Sequence, residues 1–332
     1  MKPMNQNDSA PEEVLYNTLP QALLPIKARS GVFGLSYDRS TAILQALRPQ
    51  QWVKNILIFI PFLLAHQSVS IDKIVLLMLA FVAFSVCASA VYVLNDLVDV
   101  ESDRQHPIKC RRPFASGDLP LAVGPPIALG LLGVGGCLSF AFLPGTFVVT
   151  LVLYVLLTTA YSLWLKRQVM MDVLTLASLY TLRIFAGGAS VTIMVSEWLM
   201  AFSLFFFMSL ALAKRYAELA RLNDEGQADA VGRGYRVSDL GLIESMGPTS
   251  GSLAVLVFAL YINSDAIKQF YTNTQVLWFI CPLFLYWLGR IWFLAKRREL
   301  SEDPVVFAMK DSISLIIGLV TVTLVMLAAY HR

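Results

Sequence analysis

The sequence has little charge and lacks the clusters of cysteine or histidine that mark many soluble enzymes and metal sites. Only 15% of its 332 residues are charged, whereas 57% are hydrophobic and the mean hydropathy is +0.64. A soluble core of this length cannot bury so much apolar surface, which excludes a soluble globular protein. The four cysteines stand far apart without a C-x-x-C pair, which argues against a disulfide framework and a zinc site.

The N-terminal region also lacks the apolar stretch of a secretory signal peptide. Residues 1–40 contain acidic and other polar residues and predict a cytoplasmic, partly disordered segment ahead of a membrane domain at 41–332. The net charge of +3 is too small to indicate nucleic-acid binding. The glycine-rich stretch at 130–136 does not follow a predicted strand, so it favours close helix packing over a phosphate-binding loop.

Long apolar runs are what the sequence does have. About 17–25 apolar residues in a helix cross a bilayer, and continuous apolarity favours helices over the alternating strands of a membrane barrel. Two runs, 52–67 and 245–262, are short and interrupted by Pro or Gly. The predicted spans are 52–67, 74–95, 119–141, 144–164, 170–190, 197–213, 245–262, 276–295 and 305–330. The sequence therefore predicts an all-α polytopic membrane protein with nine transmembrane helices.

The distribution of basic residues orients these nine spans. The N-terminal region and the loops near 96–118, 165–169, 214–244 and 296–304 hold 20 of the 26 Lys and Arg residues, and the opposite loops hold three. Because basic residues stay in the cytoplasm, we expect an integral plasma (inner) membrane protein with its N-terminus and charged loops cytoplasmic and its C-terminus outside. Omitting either weak span would destroy this alternation.

One polar cluster follows directly after an apolar run, in VYVLNDLVDVESDRQHPIKCRRPFASG at 91–117. On a helix that continues to about Asp103, one face within about 100° carries four oxygen-bearing side chains, those of Asn95, Asp96, Asp99 and Asp103. Carboxylates at this spacing repel one another unless cations lie among them, and oxygen ligands favour Mg²⁺. A solvated juxtamembrane loop is the simpler alternative, but it does not require ordered acidic spacing.

Basic residues follow the acidic face in the same loop. Pro107 cannot continue the helix, so we expect the chain to turn there. The turn would bring Lys109, Arg111 and Arg112 back towards the carboxylates.

The run from Asn95 to Pro113 resembles the first aspartate-rich motif of the UbiA superfamily of intramembrane prenyltransferases. The resemblance extends over roughly 40–330 and implies a nine-helix bundle with a polar cavity open to the cytoplasm. It also implies that the motif binds Mg²⁺ and, through it, a diphosphate. Three further stretches, 47–65, 161–188 and 212–219, are similar to the branch of decaprenyl-phosphate 5-phosphoribosyltransferases. That branch transfers 5-phosphoribose from phosphoribosyl diphosphate to a polyprenyl phosphate.

The sequence departs from commoner members of the superfamily, which carry a second D-x-x-x-D motif after the sixth helix. Here LAKRYAEL contains Lys214, Arg215 and Tyr216, and Asp224 and Asp229 lack the required spacing. Extra basic residues suit a reaction with two phosphorylated substrates. The candidate catalytic residues are Asp96, Asp99 and Asp103; the candidate metal ligands are these three and Asn95. The candidate substrate-binding residues are Lys54, Lys109, Arg112, Lys166, Arg183, Lys214, Arg215, Tyr216, Arg233 and Tyr235.

Several of these residues have simpler structural explanations, and other functions stay open. Arg183 could form an ion pair with an acidic residue of the bundle, and Lys166 could be a topology anchor. Lys54 could extend to the membrane interface, Asp172 could be an N-terminal helix charge, and Tyr216 and Tyr235 could be interfacial aromatics. An ordinary prenyltransferase acting on a prenyl diphosphate and an aromatic acceptor is the main functional alternative. A transporter is a second, although the acidic cluster lies at a helix end and not near mid-membrane.

Overall fold

The computed structural model describes residues 39–65, 70–106, 108–226, 233–265, 267, 271–300 and 303–329, and its regular elements are helical throughout these ranges. The predicted all-α class is confirmed. Most of the predicted N-terminal segment, 1–38, lies outside the described residues, as does Pro107. The α-helices are α1 Arg39–Leu47, α2 Ile60–Leu64, α3 Ile71–Val98, α4 Val100–Gln105, α5 Pro113–Ser116, α6 Gly124–Phe142, α7 Gly145–Leu163, α8 Met171–Ser190, α9 Glu197–Asp224, α10 Leu240–Asn263, α11 Ile280–Lys296, α12 Pro304–Lys310 and α13 Ser312–Ala329.

Eight helical segments of the described chain are long and apolar enough to cross a membrane. They are Ile71–Val98, Leu121–Phe142, Gly145–Leu163, Met171–Ser190, Glu197–Asp224, Val237–Asn263, Thr274–Lys296 and Ser312–Ala329. Their outer surfaces carry exposed apolar side chains such as Leu129, Phe140 and Leu319, as expected of surfaces that face lipid tails. The chain is therefore an integral membrane protein.

Two helices differ in extent from the predicted spans. The sixth span was expected to end at 213, but α9 continues to Asp224, because Lys, Arg, Glu and Ala are good helix formers even where hydropathy falls. The last span was expected to run unbroken over 305–330, but Asp311 has an extended backbone between α12 and α13. Its carboxylate accepts a hydrogen bond from the backbone N–H of Ser314, which caps the start of α13.

The first predicted span is mainly a 3₁₀ helix. Pro49–Phe59 is 3₁₀ and continues directly into the short helix α2. At about 2.0 Å per 3₁₀ residue and 1.5 Å per α residue, this 16-residue segment is about 30 Å long, which matches the hydrocarbon core of a bilayer. A pure α-helix of 16 residues would reach only about 24 Å. This length supports a ninth crossing, which stays a prediction.

This first segment packs against α3 and α8 in the middle of the bundle. The closest approach is at Gly187, where a Cβ atom would lie 1.8 Å from the carbonyl oxygen of Ile58. Only glycine permits this backbone contact, which places Lys54 and Asn55 beside α8. Asn55 is buried there, with its side-chain amide donating to the Ser85 hydroxyl of α3 at 2.8 Å.

The charged loops of the predicted cytoplasmic set meet at one end of the bundle. Lys166 contacts Asp99, which joins the second loop to the first. Arg298 contacts Asp224 at 2.7 Å, which joins the fourth loop to the third, and the backbone N–H of Met170, next to the second loop, donates to the hydroxyl of Tyr235 in the third. Their common location agrees with the alternation that nine spans require.

Candidate active site

Helix α3 delivers the acidic side chains to this end of the bundle. It ends at Val98, and Asp99 (φ −92°, ψ 6°) joins it to α4. The i to i+4 register nevertheless continues, because the backbone N–H of Asp99 bonds to the Asn95 carbonyl at 2.9 Å and that of Asp103 to the Asp99 carbonyl at 2.8 Å. The expected helical spacing is thus kept across a bend, and Asn95 lies half-buried at the same place.

Asp96 and Asp103 share one cation. Both side chains are only 2% exposed, and the same guanidinium nitrogen of Arg112 lies 2.5 Å from an oxygen of Asp103 and 3.3 Å from an oxygen of Asp96. Arg112 reaches them because a 3₁₀ turn at Lys109–Arg111 reverses the chain after α4. The expected return of the basic loop to the acidic face is therefore seen for Arg112.

Arg48 is a second cation on Asp96 that the sequence did not identify. Its guanidinium lies 2.5 Å from Asp96 and 5.5 Å from the centre of the Tyr92 ring. The Arg48 backbone is left-handed, with φ 51° and ψ 57°, between α1 and the 3₁₀ segment. Such a conformation costs free energy in a non-glycine residue, and these two contacts oppose that cost.

Asp99 and Lys109 occupy more open positions. The Asp99 carboxylate accepts from the ammonium group of Lys166 at 2.8 and 2.9 Å. Lys166 thus has a specific partner, in addition to any role as a topology anchor. Burial and the neighbouring Arg112 lower the pKa of Lys109 below that of an ordinary lysine.

Two carboxylates of the acidic face, those of Asp96 and Asp103, have the chemistry to hold a divalent metal ion together with a phosphate. Among the described residues, no group of three or more His, Cys, Asp or Glu is arranged to hold a metal. Asp96 and Asp103, however, share one cationic nitrogen, and the second carboxylate oxygen of Asp96 is buried without a hydrogen bond. Mg²⁺ in phosphate-transfer enzymes is commonly held by one or two carboxylates together with substrate phosphates. This pair fits that arrangement, whereas Asp99 is engaged by Lys166.

A second charged cluster lies where α8 begins. Arg215 and Asp172 are both 0% exposed and form an ion pair at 2.8 Å. Arg233 lies 3.3 Å from Asp172 and 3.2 Å from Glu218, which also pairs with Arg215. Two acids here match two bases, so Arg215 and Arg233, both expected to bind substrate, are neutralised within the protein. Asp172 is thus a partner of two arginines and not merely a helix-terminal charge.

The tyrosines of the predicted site are packed inside the protein. The Tyr235 hydroxyl accepts from the Met170 backbone N–H at 3.0 Å, and its side chain is buried. Tyr216 packs edge-on against Trp292 with ring centres 5.9 Å apart. Their burial does not fit the alternative that they are exposed aromatics at the membrane interface.

A third cluster is centred on Asp303, which the sequence did not identify. Its carboxylate lies 3.0 Å from the Lys54 ammonium and 2.9 Å from that of Lys214, and it accepts from the Tyr180 hydroxyl at 3.0 Å. Burial alone would raise the pKa of Asp303, but Lys214 and Lys54 hold it well below its ordinary value. The residue is therefore ionised at neutral pH.

Arg183 lies beside this third cluster. Its guanidinium donates to the Asn55 side-chain oxygen at 2.9 Å, the Tyr154 hydroxyl at 2.9 Å and the Leu179 carbonyl at 2.6 Å. It also lies 5.4 Å from the centre of the Tyr180 ring. The contacts within the described chain give Arg183 neutral partners, unlike the carboxylate ion pair that was the structural alternative for an arginine in a span.

Comparison with known proteins gives the same family as the acidic motif. The model of the UbiA prenyltransferase family matches residues 55–316. A solved structure of a UbiA homolog from Archaeoglobus fulgidus, bound to DMAPP and Mg²⁺, has a TM-score of 0.65 and 16% sequence identity. The similarity covers 87% of this chain and 99% of that chain. It supports the fold, and the low identity carries no more than that.

Curated relatives are more similar in sequence. An uncharacterized protein of Sinorhizobium fredii is 37% identical over 279 residues, 83% of this chain and 53% of that protein. The nodulation protein NoeC of Azorhizobium caulinodans is 35% identical over 272 residues, 82% of this chain and 88% of NoeC. Decaprenyl-phosphate phosphoribosyltransferase of Mycobacterium tuberculosis is 36% identical over 190 residues, 56% of this chain and 63% of that enzyme. The chain thus spans about half of the first relative and under two thirds of the third.

Proposed function

We propose that this chain, which belongs to the UbiA prenyltransferase family, transfers 5-phosphoribose from phosphoribosyl diphosphate to a polyprenyl phosphate and releases diphosphate. Membership makes it a membrane-bound transferase. The observation that carries the choice of substrates is the excess of basic over acidic side chains around the site. The 36% identity to a protein named decaprenyl-phosphate phosphoribosyltransferase, over 190 residues, supports the same choice.

The acidic cluster is proposed to receive the diphosphate. Asp96, Asp99 and Asp103 are surrounded by three paired cations, Arg48, Arg112 and Lys166, with Lys109 close by. Mg²⁺ held by Asp96 and Asp103 would add positive charge that stabilises the leaving diphosphate. Arg112 and Lys109 would then be free to contact its oxygens, because charge-assisted hydrogen bonds to phosphate are strong.

The reaction requires no protein base. The bond between C1 of the ribose and the diphosphate oxygen breaks, and a bond forms from C1 to an oxygen of the lipid phosphate. That oxygen is already anionic, so no proton needs to be removed before it attacks. The electron pair of the broken bond leaves with the diphosphate, whose developing charge is stabilised by the basic residues. A reaction without a protein base needs no catalytic histidine, and the three histidines of this chain are scattered along the sequence.

The surface of the bundle suits a lipid substrate. The isoprenoid chain is apolar, and the helices expose apolar side chains along their membrane-facing surfaces. The polar end, with the four charged loops, is proposed to face the cytoplasm, where a soluble sugar diphosphate is available. The strong bias of Lys and Arg to that end supports this orientation.

The decisive experiment supplies purified protein in detergent with Mg²⁺, polyprenyl phosphate and ribose-labelled phosphoribosyl diphosphate. We expect an organic-extractable labelled product whose formation stops with EDTA. Asp103→Asn should abolish the product, whereas Asp118→Asn, a change at an exposed aspartate in the same loop, should not. If the label stays in water while a prenyl diphosphate and an aromatic acceptor react, the protein is an ordinary prenyltransferase.

A further inference from the structure

Asp303 occupies the space between two lysines that come from distant parts of the chain. Lys54 belongs to the 3₁₀ segment and Lys214 to α9, and their ammonium groups lie 3.0 and 2.9 Å from the same oxygen of Asp303. Tyr180 of α8 joins the group, since its hydroxyl donates to the other oxygen at 3.0 Å. A single carboxylate therefore satisfies three donors that converge from three helical elements.

The group nevertheless holds more positive than negative charge. The Arg183 guanidinium and the Lys54 ammonium lie 5.4 and 5.7 Å from the centre of the Tyr180 ring, whose hydroxyl donates to Asp303. Within the described part of the chain, the groups around Tyr180 and Asp303 thus include three cations, Lys54, Lys214 and Arg183, and one carboxylate. Arg183 is 5% exposed and the Lys54 side chain 12% exposed, and buried charge without a counter-ion is strongly unfavourable, so the arrangement favours binding of an anion. The excess of two positive charges matches a phosphate monoester, which carries about −1.5 to −2 at pH 7.

The cluster around Asp303 shares no ion pair with the acidic motif, because Asp303 pairs with Lys54 and Lys214 whereas the acidic motif pairs with Arg48, Arg112 and Lys166. Tyr180 and Arg183 lie nine and twelve residues into α8, about 14 and 18 Å along its axis from the charged end. Asp96, by contrast, lies two residues before the end of α3. The cluster around Arg215 has matched charges and offers no similar excess.

We propose that Lys54, Lys214 and Tyr180 bind the phosphate monoester of a substrate, and that Asp303 is a resident counter-ion which this phosphate displaces from the two lysines. The proposal rests on the proposed function, because two phosphate monoesters are available there. One is the phosphate of the lipid acceptor and the other is the 5-phosphate of the sugar donor. Both have the same charge and the same acceptor oxygens, so they are distinguished by experiment.

If Asp303 is a displaceable carboxylate, its substitution should strengthen substrate binding instead of weakening it. Loss of an acidic residue from a structural ion-pair network normally weakens a site, because it leaves its basic partners unsatisfied. A carboxylate that competes with the substrate behaves in the opposite way, because its removal frees the two lysines. Asp303→Asn keeps the size of the side chain and an oxygen that can still accept from the Val305 backbone N–H, the cap of α12.

Asp311 provides a matched control. Its side chain is 14% exposed, compared with 15% for Asp303, and it also pairs with a basic residue, Arg290, at 2.7 and 2.9 Å. It also caps the helix that follows it, through the backbone N–H of Ser314. The two aspartates therefore share burial, capping and ion pairing, but Asp311 lies away from Lys54 and Lys214.

The experiment measures binding to full-length protein purified in detergent, by titration calorimetry without turnover. Farnesyl phosphate represents the lipid phosphate, ribose 5-phosphate represents the donor's monoester, and pyrophosphate with Mg²⁺ reports on the acidic motif. Since removing one like charge at this range favours anion binding strongly, Asp303→Asn should tighten one of the two monoesters by about tenfold. Asp311→Asn should leave both dissociation constants unchanged, and Lys214→Met should weaken the same monoester but not pyrophosphate.

Each outcome of these titrations either supports the proposal or rejects it. Tighter farnesyl phosphate assigns the cluster to the lipid, and tighter ribose 5-phosphate assigns it to the donor. Unchanged or weaker binding of both monoesters in Asp303→Asn would show that Asp303 is a structural ion pair, even if the wild type transfers phosphoribose normally. If Asp303→Asn does not fold, Lys214→Met still decides, because equal weakening of monoester and pyrophosphate would contradict a separate site. Failure of phosphoribosyl transfer with tighter farnesyl phosphate would reject only the proposed function.

Discussion

The buried pair of Arg215 and Asp172 provides a test that separates a structural arginine from one that binds substrate. Arg215→Met removes the charge while keeping an unbranched apolar side chain. Both members of the pair are 0% exposed, so the substitution leaves a buried carboxylate with reduced compensation. Removal of one partner from a buried ion pair typically costs about 3–5 kcal/mol. Asp172 keeps Arg233 at 3.3 Å and the Tyr161 hydroxyl at 2.8 Å, so we expect the lower part of that range.

The assay is thermal unfolding of the purified protein in detergent, followed by tryptophan fluorescence and checked by size-exclusion chromatography. Arg215→Met should melt several degrees below the wild type. Arg298→Met is the matched control, because Arg298 is also paired with an aspartate, Asp224, but both side chains are substantially exposed. Exposed pairs contribute about 0–1 kcal/mol, so its melting temperature should stay close to that of the wild type.

A double-substitution cycle strengthens the test. If the two residues stabilise the fold through each other, Asp172→Asn combined with Arg215→Met should cost less than the sum of the single changes. The reasoning would be refuted by an Arg215→Met protein that melts like the wild type and loses only its affinity for phosphoribosyl diphosphate. That result would make Arg215 a substrate ligand, as the sequence alone suggested.

Three further outcomes follow from the site and the fold. Burial and Arg112 lower the pKa of Lys109, so Lys109 loses its charge at a lower pH than an ordinary lysine. Lys109→Arg should therefore move the alkaline limb of the kcat/KM profile to higher pH. An alkaline limb that does not move would exclude Lys109 from donor binding. Gly187→Ala should reduce the yield of folded protein, since its Cβ would lie 1.8 Å from the Ile58 carbonyl oxygen, whereas Gly133→Ala, which meets open space, should not. Cysteines placed at 143–145 should react with an impermeant reagent added outside intact cells, and those at 108–112 should be protected; the reverse pattern would invert the proposed topology.

The spacing of residues along the chain was sufficient to predict contacts between near neighbours and the positions of long helices. The face formed by Asp96, Asp99 and Asp103 depends on a helical register that continues from α3 across Asp99 into α4, and Arg112 returns to this face through a short turn. Both relations involve fewer than twenty residues of chain, so the helical repeat and a proline were sufficient to find them. The apolar runs similarly located eight spans, because hydrophobic length is a local property.

Contacts between distant segments could not be found in this way. Asp303 lies 249 residues from Lys54 along the chain, and no spacing rule relates them. The sequence does show a helix start at Asp303-Pro304, since aspartate is a preferred cap and proline a preferred first residue. It does not show that this cap contacts Lys54 and Lys214. The 3₁₀ form of the first span was equally hidden, because apolar periodicity does not distinguish long 3₁₀ runs from α-helices.

Under the proposed function, Lys214 and Arg215 of α9 adapt the fold to a more anionic pair of substrates. A second carboxylate motif at this position would attract a further metal ion to the prenyl diphosphate. Here Lys214 instead extends to Asp303, and Arg215 is closed off by Asp172 and Glu218. Lys214 therefore adds positive charge beside Asp303, while Arg215 stabilises the helix that carries Lys214. On this reasoning Lys214 is the residue that sets the substrate class. Lys214→Asp should therefore abolish the use of a phosphate monoester. It should not create a metal site, because Asp303 would remain paired with Lys54.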